Sequence, residues 1–296
     1  MTMDFTLYWF MFPVSIGVAT CAMLSGIGGA ALFTPIFVLL FPLLGPEYAL
    51  QSTLAAISAA LITQTFGFLS GFVGYSRRGL IDYRLARRML VFSIPVAVLG
   101  ALTASRIEDS LLLFCYASLV LILSIGLWQH RTVGVSETVS PDQTTTIVDS
   151  SGKTHQYAEP VLGIRSRLLT SIGAFLTGLV SVGIGEVTVS QLTRKGVPIA
   201  VAAATSVLIV IATIAIASTT LASQLIKDGG WTAVPWHLLV YDIPGVLIGG
   251  QIGPRLQGKV SQASMQRAIA ILFVFLAIAM AAVASQKWTG SLLITG

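Results

Sequence analysis

Long apolar runs alternate with short polar joints along the chain. The runs fall at residues 8–24, 29–44, 48–75, 89–105, 111–128, 168–182, 183–193, 197–225, 234–254 and 265–285. A membrane-spanning helix needs about 20 mostly apolar residues, roughly 17–25. Most of the runs meet that length or approach it, but 168–182 and 183–193, at 15 and 11 residues, are too short to cross separately. Between the outer runs, 129–167 is polar and lacks an apolar period, which predicts a flexible hydrophilic cytoplasmic loop. The pattern predicts a first membrane repeat over 8–128, the loop over 129–167 and a second membrane repeat over 168–286. The fold class expected is an all-α polytopic membrane protein with about 8–10 transmembrane or re-entrant helices.

The two halves share an internal signature. Ile94-Pro95 is followed by Gly100 and Arg106, and Ile243-Pro244 by Gly249 and Arg255, at the same spacing. Gly26-Ile27-Gly28-Gly29 matches Gly183-Ile184-Gly185-Glu186, and Ser52-Thr53-Leu54 matches Thr205-Ser206-Val207, each just after a proline (Pro46, Pro198). Three matches in the same order predict a duplicated unit.

Composition narrows the class. Lys and Arg number 17 and Asp and Glu 12, so 10% of residues are charged, against about 25% in a soluble protein. This excludes an ordinary soluble enzyme, a nucleic-acid-binding domain and a disordered chain. The net charge of +5 then reports orientation. With Arg77, Arg78, Arg84, Arg87 and Arg88 on the cytoplasmic side, a Gly-broken hairpin plus three spans per half places 14 of the 17 cations inside. Only Arg106, Lys227 and Lys287 fall outside, and the second half is inverted relative to the first. The tryptophans near span ends read as interfacial anchors. Cys21 and Cys115 lie in apolar runs and support no disulfide framework.

The chemistry is expected where the helices break. Interrupted helices are tolerated in a bilayer only where their backbone lines a cavity or is buried in protein. A half-helix N-terminus offers N–H groups and the positive dipole end to an anion. Gly26, Gly28, Gly29, Gly183 and Gly185 are therefore candidate substrate-binding positions; the alternative is that such glycines only let helices pack closely, as expected for Gly67/Gly71 and Gly245/Gly249/Gly253. Ser52, Thr53, Thr205 and Ser206 are further candidates, their hydroxyls either donating to substrate or bonding back to the preceding turn. Glu186 and Asp242 are the two acids inside apolar runs, and an intramembrane acid marks a functional site by default. Glu186 is expected either to couple protons or to cap its half-helix. Asp242 is expected either to couple protons, or to reach the interface or bond Tyr241 or His237. The three histidines are scattered, with no metal-site spacing and no nucleophile–base pattern. No catalytic residue, metal or cofactor is therefore expected.

These motifs resemble the TauE/SafE sulfite exporter family, also described as the 4-toluenesulfonate uptake permease family. The resemblance rests on Leu24-Ser25-Gly26-Ile27-Gly28-Gly29, its second-half copy, the Ala-x-x-Thr-Ser pattern at 202–206 and the paired Ile-Pro…Gly…Arg helices. It implies a multi-pass permease of the plasma (inner) membrane for sulfite or an organosulfonate, with proton coupling often proposed. Glu186 and the long central loop depart from the family's usual pattern. The expected partners are a small anionic solute and the lipid bilayer, with no nucleic acid, and a homo-oligomer is left open. Two other classes remain: a cation- or proton-binding transporter using Glu186 and Asp242 with a non-sulfur substrate, and a membrane-embedded enzyme or assembly subunit.

Overall fold

The computed structural model describes residues 6–25, 30–128, 144–256 and 262–294. Its helices, in chain order, are α1 (Met11–Ser25), α2 (Ala30–Pro35), α3 (Phe41–Leu44), α4 (Thr53–Arg77), α5 (Tyr83–Ala104), α6 (Asp109–Trp128), α7 (Ile164–Val180), α8 (Ile184–Arg194), α9 (Ile199–Gly229), α10 (Trp236–Leu256) and α11 (Gln262–Ile294). A π-helical stretch, Ile36–Leu40, joins α2 to α3. It begins directly after Pro35, whose ring and missing N–H disturb the α ladder at that point.

The protein is an all-α polytopic membrane protein. Thr53–Arg77, Tyr83–Ala104, Ile199–Gly229 and Arg267–Trp288 are long and apolar enough to cross a bilayer. At 1.5 Å per residue α4 alone reaches about 37 Å, more than the ~30 Å hydrocarbon core. The outer surface is apolar, with Phe275 66% exposed and Val91 65% exposed. The interior is instead rich in small and hydroxyl side chains, including Ser15, Thr34, Ser58, Thr63, Ser93, Thr205 and Thr213. In water that arrangement would leave large apolar patches exposed; in lipid it satisfies both surfaces.

Close helix approaches organise the bundle. α5 packs on α7 and α1 on α10; α4 packs on both α9 and α10, α5 on α9, and α6 on α11. A Cβ on Gly100 would lie 2.1 Å from the Phe175 carbonyl oxygen, and one on Gly178 2.1 Å from that of Ala97, so α5 and α7 touch backbone to backbone. Gly245, Gly249 and Gly253 play the same part between α10 and α1, facing Phe12, Ile16 and Met23. The packing expectation for these three glycines is met, and Gly67 likewise meets Val246, and Gly71 meets Met23.

The 129–167 segment departs from the expected structureless loop. Thr144–Val148 and Thr154–Ala158 form an antiparallel hairpin, β1 and β2, with Thr144 opposite Ala158 and Val148 opposite Thr154. The β-branched run Thr144–Val148 favours a strand. The turn closes on Asp149, whose Oδ1 accepts from Ser151 N, Ser151 Oγ and Lys153 N. Gly152 supplies the left-handed residue, φ +83°. The hairpin docks on the joint between α4 and α5: Ser150 N donates to Arg78 O, and buried Tyr157 donates its hydroxyl to Asp82 Oδ2 at 2.7 Å. α7 also starts earlier than expected, at Ile164. This hairpin is held by its turn, by polar docking, and by Tyr157 and Ile147 packing on the apolar core of the bundle.

Candidate functional site

The break between α7 and α8 is the centre of the candidate site. α7 stops at Ser181, which adopts φ +67°, the sole positive φ outside glycine among the described residues. Gly183 follows at φ +137°, and a Cβ there would sit 2.9 Å from Gly173 O. α8 then folds back along α7, with Val187 against Gly173. The chain therefore turns inside the bundle, at a place where only glycine fits both the backbone angle and the space.

Two first-turn donors of α8 are taken by protein groups. Gly183 N donates to Glu186 Oε2 at 3.1 Å, and Ile184 N donates to Thr177 Oγ1 at 2.8 Å. Glu186 therefore caps its own half-helix, the second of its two expected roles. Ser206 Oγ on α9 donates to Gly185 O at 3.3 Å. From the first half, Thr34 on α2 reaches Ser181, Oγ to Oγ 3.0 Å, and both are buried. Tyr116 on α6 donates to Ala31 O at 2.8 Å and lies within electrostatic reach of Glu186. Gly183, Gly185, Glu186 and Ser206 thus come together, and Thr34, Thr177, Ser181 and Tyr116 join them.

The buried face of α8 continues the polar stripe through Gly185, Thr188 and Gln191 at three-residue spacing. Thr188 bonds back to Ile184 O. Both amide atoms of Gln191, a residue 92% buried (8% exposed), lack a protein partner among the described residues. An orphaned buried amide costs roughly 1–3 kcal/mol, so its burial calls for a partner beyond the described residues.

Asp242 forms a second centre. It is fully buried, with Oδ1 accepting from Ser15 Oγ at 2.7 Å and Oδ2 from Thr63 Oγ1 at 3.3 Å. The expectation that it reaches the interface or bonds Tyr241 or His237 is corrected: α1 and α4 enclose it and supply its donors. Proximity in sequence suggested the wrong partners, since both donors lie some 180 residues or more away along the chain. Between α5 and α9, Thr213 Oγ1 donates to Ser93 Oγ at 3.4 Å.

The other candidates serve helix ends. Ser52 is the N-cap of α4, accepting from Ala55 N at 3.0 Å. Thr53 N donates to Asp109 Oδ2, and Lys287 Nζ lies 3.5 Å from that same carboxylate oxygen and 3.4 Å from Thr53 Oγ1. Thr205 Oγ1 accepts from Asp82 N at 3.0 Å, beside the docked hairpin. Gly26, Gly28 and Gly29 lie outside the described residues. Thr34, Ser181, Gln191, Ser15 and Thr63 were not singled out from sequence. Hydroxyl residues in apolar helices carry no local signal of which face they occupy.

The family model for the sulfite exporter TauE/SafE matches residues 11–280. The chain belongs to the TauE/SafE sulfite exporter family. That is a family of membrane transporters for sulfur-containing anions, which agrees with a bundle of membrane helices broken at a buried polar centre. Searches of curated proteins and of solved structures return no match.

Proposed function

We propose that this TauE/SafE chain is a multi-pass secondary transporter of the plasma (inner) membrane that moves sulfite or a small organosulfonate with proton coupling. The observation that carries this reading is the orphaned Gln191 amide on the polar stripe of the broken helix. A sulfonate or sulfite oxygen can accept from its NH2 group, and hydroxyls of Thr34, Ser181 and Ser206 lie around the break. These donors are neutral, so they can bind an anion and still release it, as a transport cycle requires. Because Glu186 and Thr177 occupy two α8 amides, the substrate in this reading sits on the side-chain stripe and not on the bare helix end.

Asp242 is the proposed proton carrier. A carboxyl group held by two hydroxyls inside the bundle can change protonation without breaking an ion pair. The reading also takes the two halves as inverted repeats. The packings α1–α10 and α5–α7 exchange under the sequence match, as do α4–α10 and α5–α9. Gly100 then corresponds to Gly249 and Ser93 to Asp242, each within one of these packings.

Sulfite flux into proteoliposomes under an imposed pH gradient tests both parts. Gln191→Leu removes the orphan, so it should leave the melting temperature equal or higher while cutting flux at least tenfold. Asp242→Asn should keep counterflow exchange and abolish accumulation driven by the gradient. Full flux in Gln191→Leu would overturn the substrate stripe; an unaltered gradient response in Asp242→Asn would overturn the coupling.

A further inference from the structure

The ends of α4 and α10 meet at a surface cavity of about 380 Å³, lined by Gly74, Arg77, Arg78, Gln251, Pro254 and Arg255. That volume lies within the roughly 300–1,000 Å³ of small-molecule sites. We propose that this cavity is an oxyanion-binding site, taking a sulfonate, sulfate or phosphate group either free in solution or on an anionic lipid head group. It does not depend on the transport reading above.

Three arginines line this cavity, and none of its lining residues is acidic. Among the described residues the ion pairs are Arg88–Glu159 and Lys287–Asp109, beside a His155–Asp149 contact; none involves Arg77, Arg78 or Arg255. Solitary cations at helix C-terminal ends are ordinary, since the dipole favours them. Three around one cavity repel each other, and a bound anion removes that cost. The guanidinium fork also matches the paired oxygens of sulfonate and phosphate.

The cavity wall is built and held. Arg78 Nη1 donates to Pro254 O at 2.9 Å, which spans the two helices and leaves the other N–H groups of that guanidinium for a ligand. Behind it, Ser70 Oγ donates to Leu247 O at 2.6 Å, and Gln251 Nε2 donates to Ser70 O at 2.6 Å and Ser70 Oγ at 3.0 Å. Those bonds fix the amide orientation, with Gln251 Oε1 as an acceptor, so the wall can also take the hydroxyl of a protonated oxyanion. A Cβ on Gly74 would come within 3.3 Å of Pro254 Cγ, so glycine keeps the two helix ends at this separation. Arg77 and Arg255 are exposed and Arg78 is half-buried, which leaves two arginines able to close on a ligand and one already placed.

The test uses the full chain in phosphatidylcholine nanodiscs. Calorimetric titration with sulfate, phosphate and ethanesulfonate reads the free-anion source. Native mass spectrometry after exchange into phosphatidylglycerol-containing bilayers reads the lipid source. Arg77→Gln and Arg255→Gln should each weaken binding about tenfold or more, with Arg106→Gln as a control of equal charge change elsewhere. Arg255→Lys should recover part of the affinity, because charge survives while the fork is lost. Ligand-free melting temperatures matching the unaltered chain separate lost binding from lost fold. Arginine-dependent binding of a free anion, or arginine-dependent retention of the anionic lipid, supports the site and names its source. Binding by neither ligand, or binding equally strong in all variants, overturns it.

Discussion

Replacing Gly178 by Ala gives the sharpest test of how the bundle is held. The new methyl carbon would lie 2.1 Å from Ala97 O and 2.8 Å from the Ala101 nitrogen. Both are backbone atoms, so no rotamer change relieves the clash. A carbon–oxygen contact relaxes at about 3.3 Å, so α5 and α7 must separate by about 1 Å locally. Overpacking of this kind costs typically 1–3 kcal/mol, and with backbone on both sides the upper end applies. Alanine returns about 1 kcal/mol of helix propensity, leaving a net loss of about 2 kcal/mol. Gly17 is the matched control: it lies exposed within α1, and a Cβ there meets nothing within 4 Å. Gly17→Ala should therefore gain up to about 1 kcal/mol. At about 2–4 °C per kcal/mol, the two variants should melt about 6–12 °C apart in detergent, followed by tryptophan fluorescence. Because α7 carries the break at Ser181, Gly178→Ala should also lower the sulfite flux proposed above, whereas Gly17→Ala should not. Equal melting temperatures, or a reversed order, would refute the close-contact account of the α5–α7 joint.

Two further predictions concern the hairpin. Tyr157→Phe removes a hydroxyl donated to the Asp82 carboxylate, a bond of roughly 1.5–3 kcal/mol for a charged acceptor, so amide exchange over 154–158 should speed by about tenfold or more; unchanged exchange would mean the strand is held elsewhere. The Ser151 hydroxyl, with the Lys153 and Ser151 amides and His155, holds the Asp149 carboxyl down at about 2. The ordinary value is about 3.9, so the turn's contribution is complete above that value and lost as pH falls through about 2. Exchange protection at the turn should therefore stay level down to about pH 4 and decline between there and pH 2, and a decline centred near pH 5 would contradict it.

The apolar runs alone determined that this chain lives in a membrane, where its helices lie and that one pair is interrupted at Gly183. Run length against bilayer thickness and the scarcity of charge are one-dimensional properties, so they survive without coordinates. The capping of α8 by Glu186 was also legible as one of two options, because a glutamate three positions into a helix can reach back to its own N-terminus. The hairpin carries no apolar period to announce it, because a turn aspartate and a docked tyrosine hold it. What only the tertiary structure decided is which buried hydroxyls meet. Ser15 and Thr63 around Asp242, Thr34 against Ser181, and the arginines of α4 and α10 around one cavity are pairings between distant segments. In lipid the hydrophobic pattern only weakly distinguishes the face toward a helix from the face toward the bilayer, since both carry many apolar residues. Small-residue contacts such as Gly100 with Phe175 set the helix rotations, and those rotations decide which polar side chains share a site.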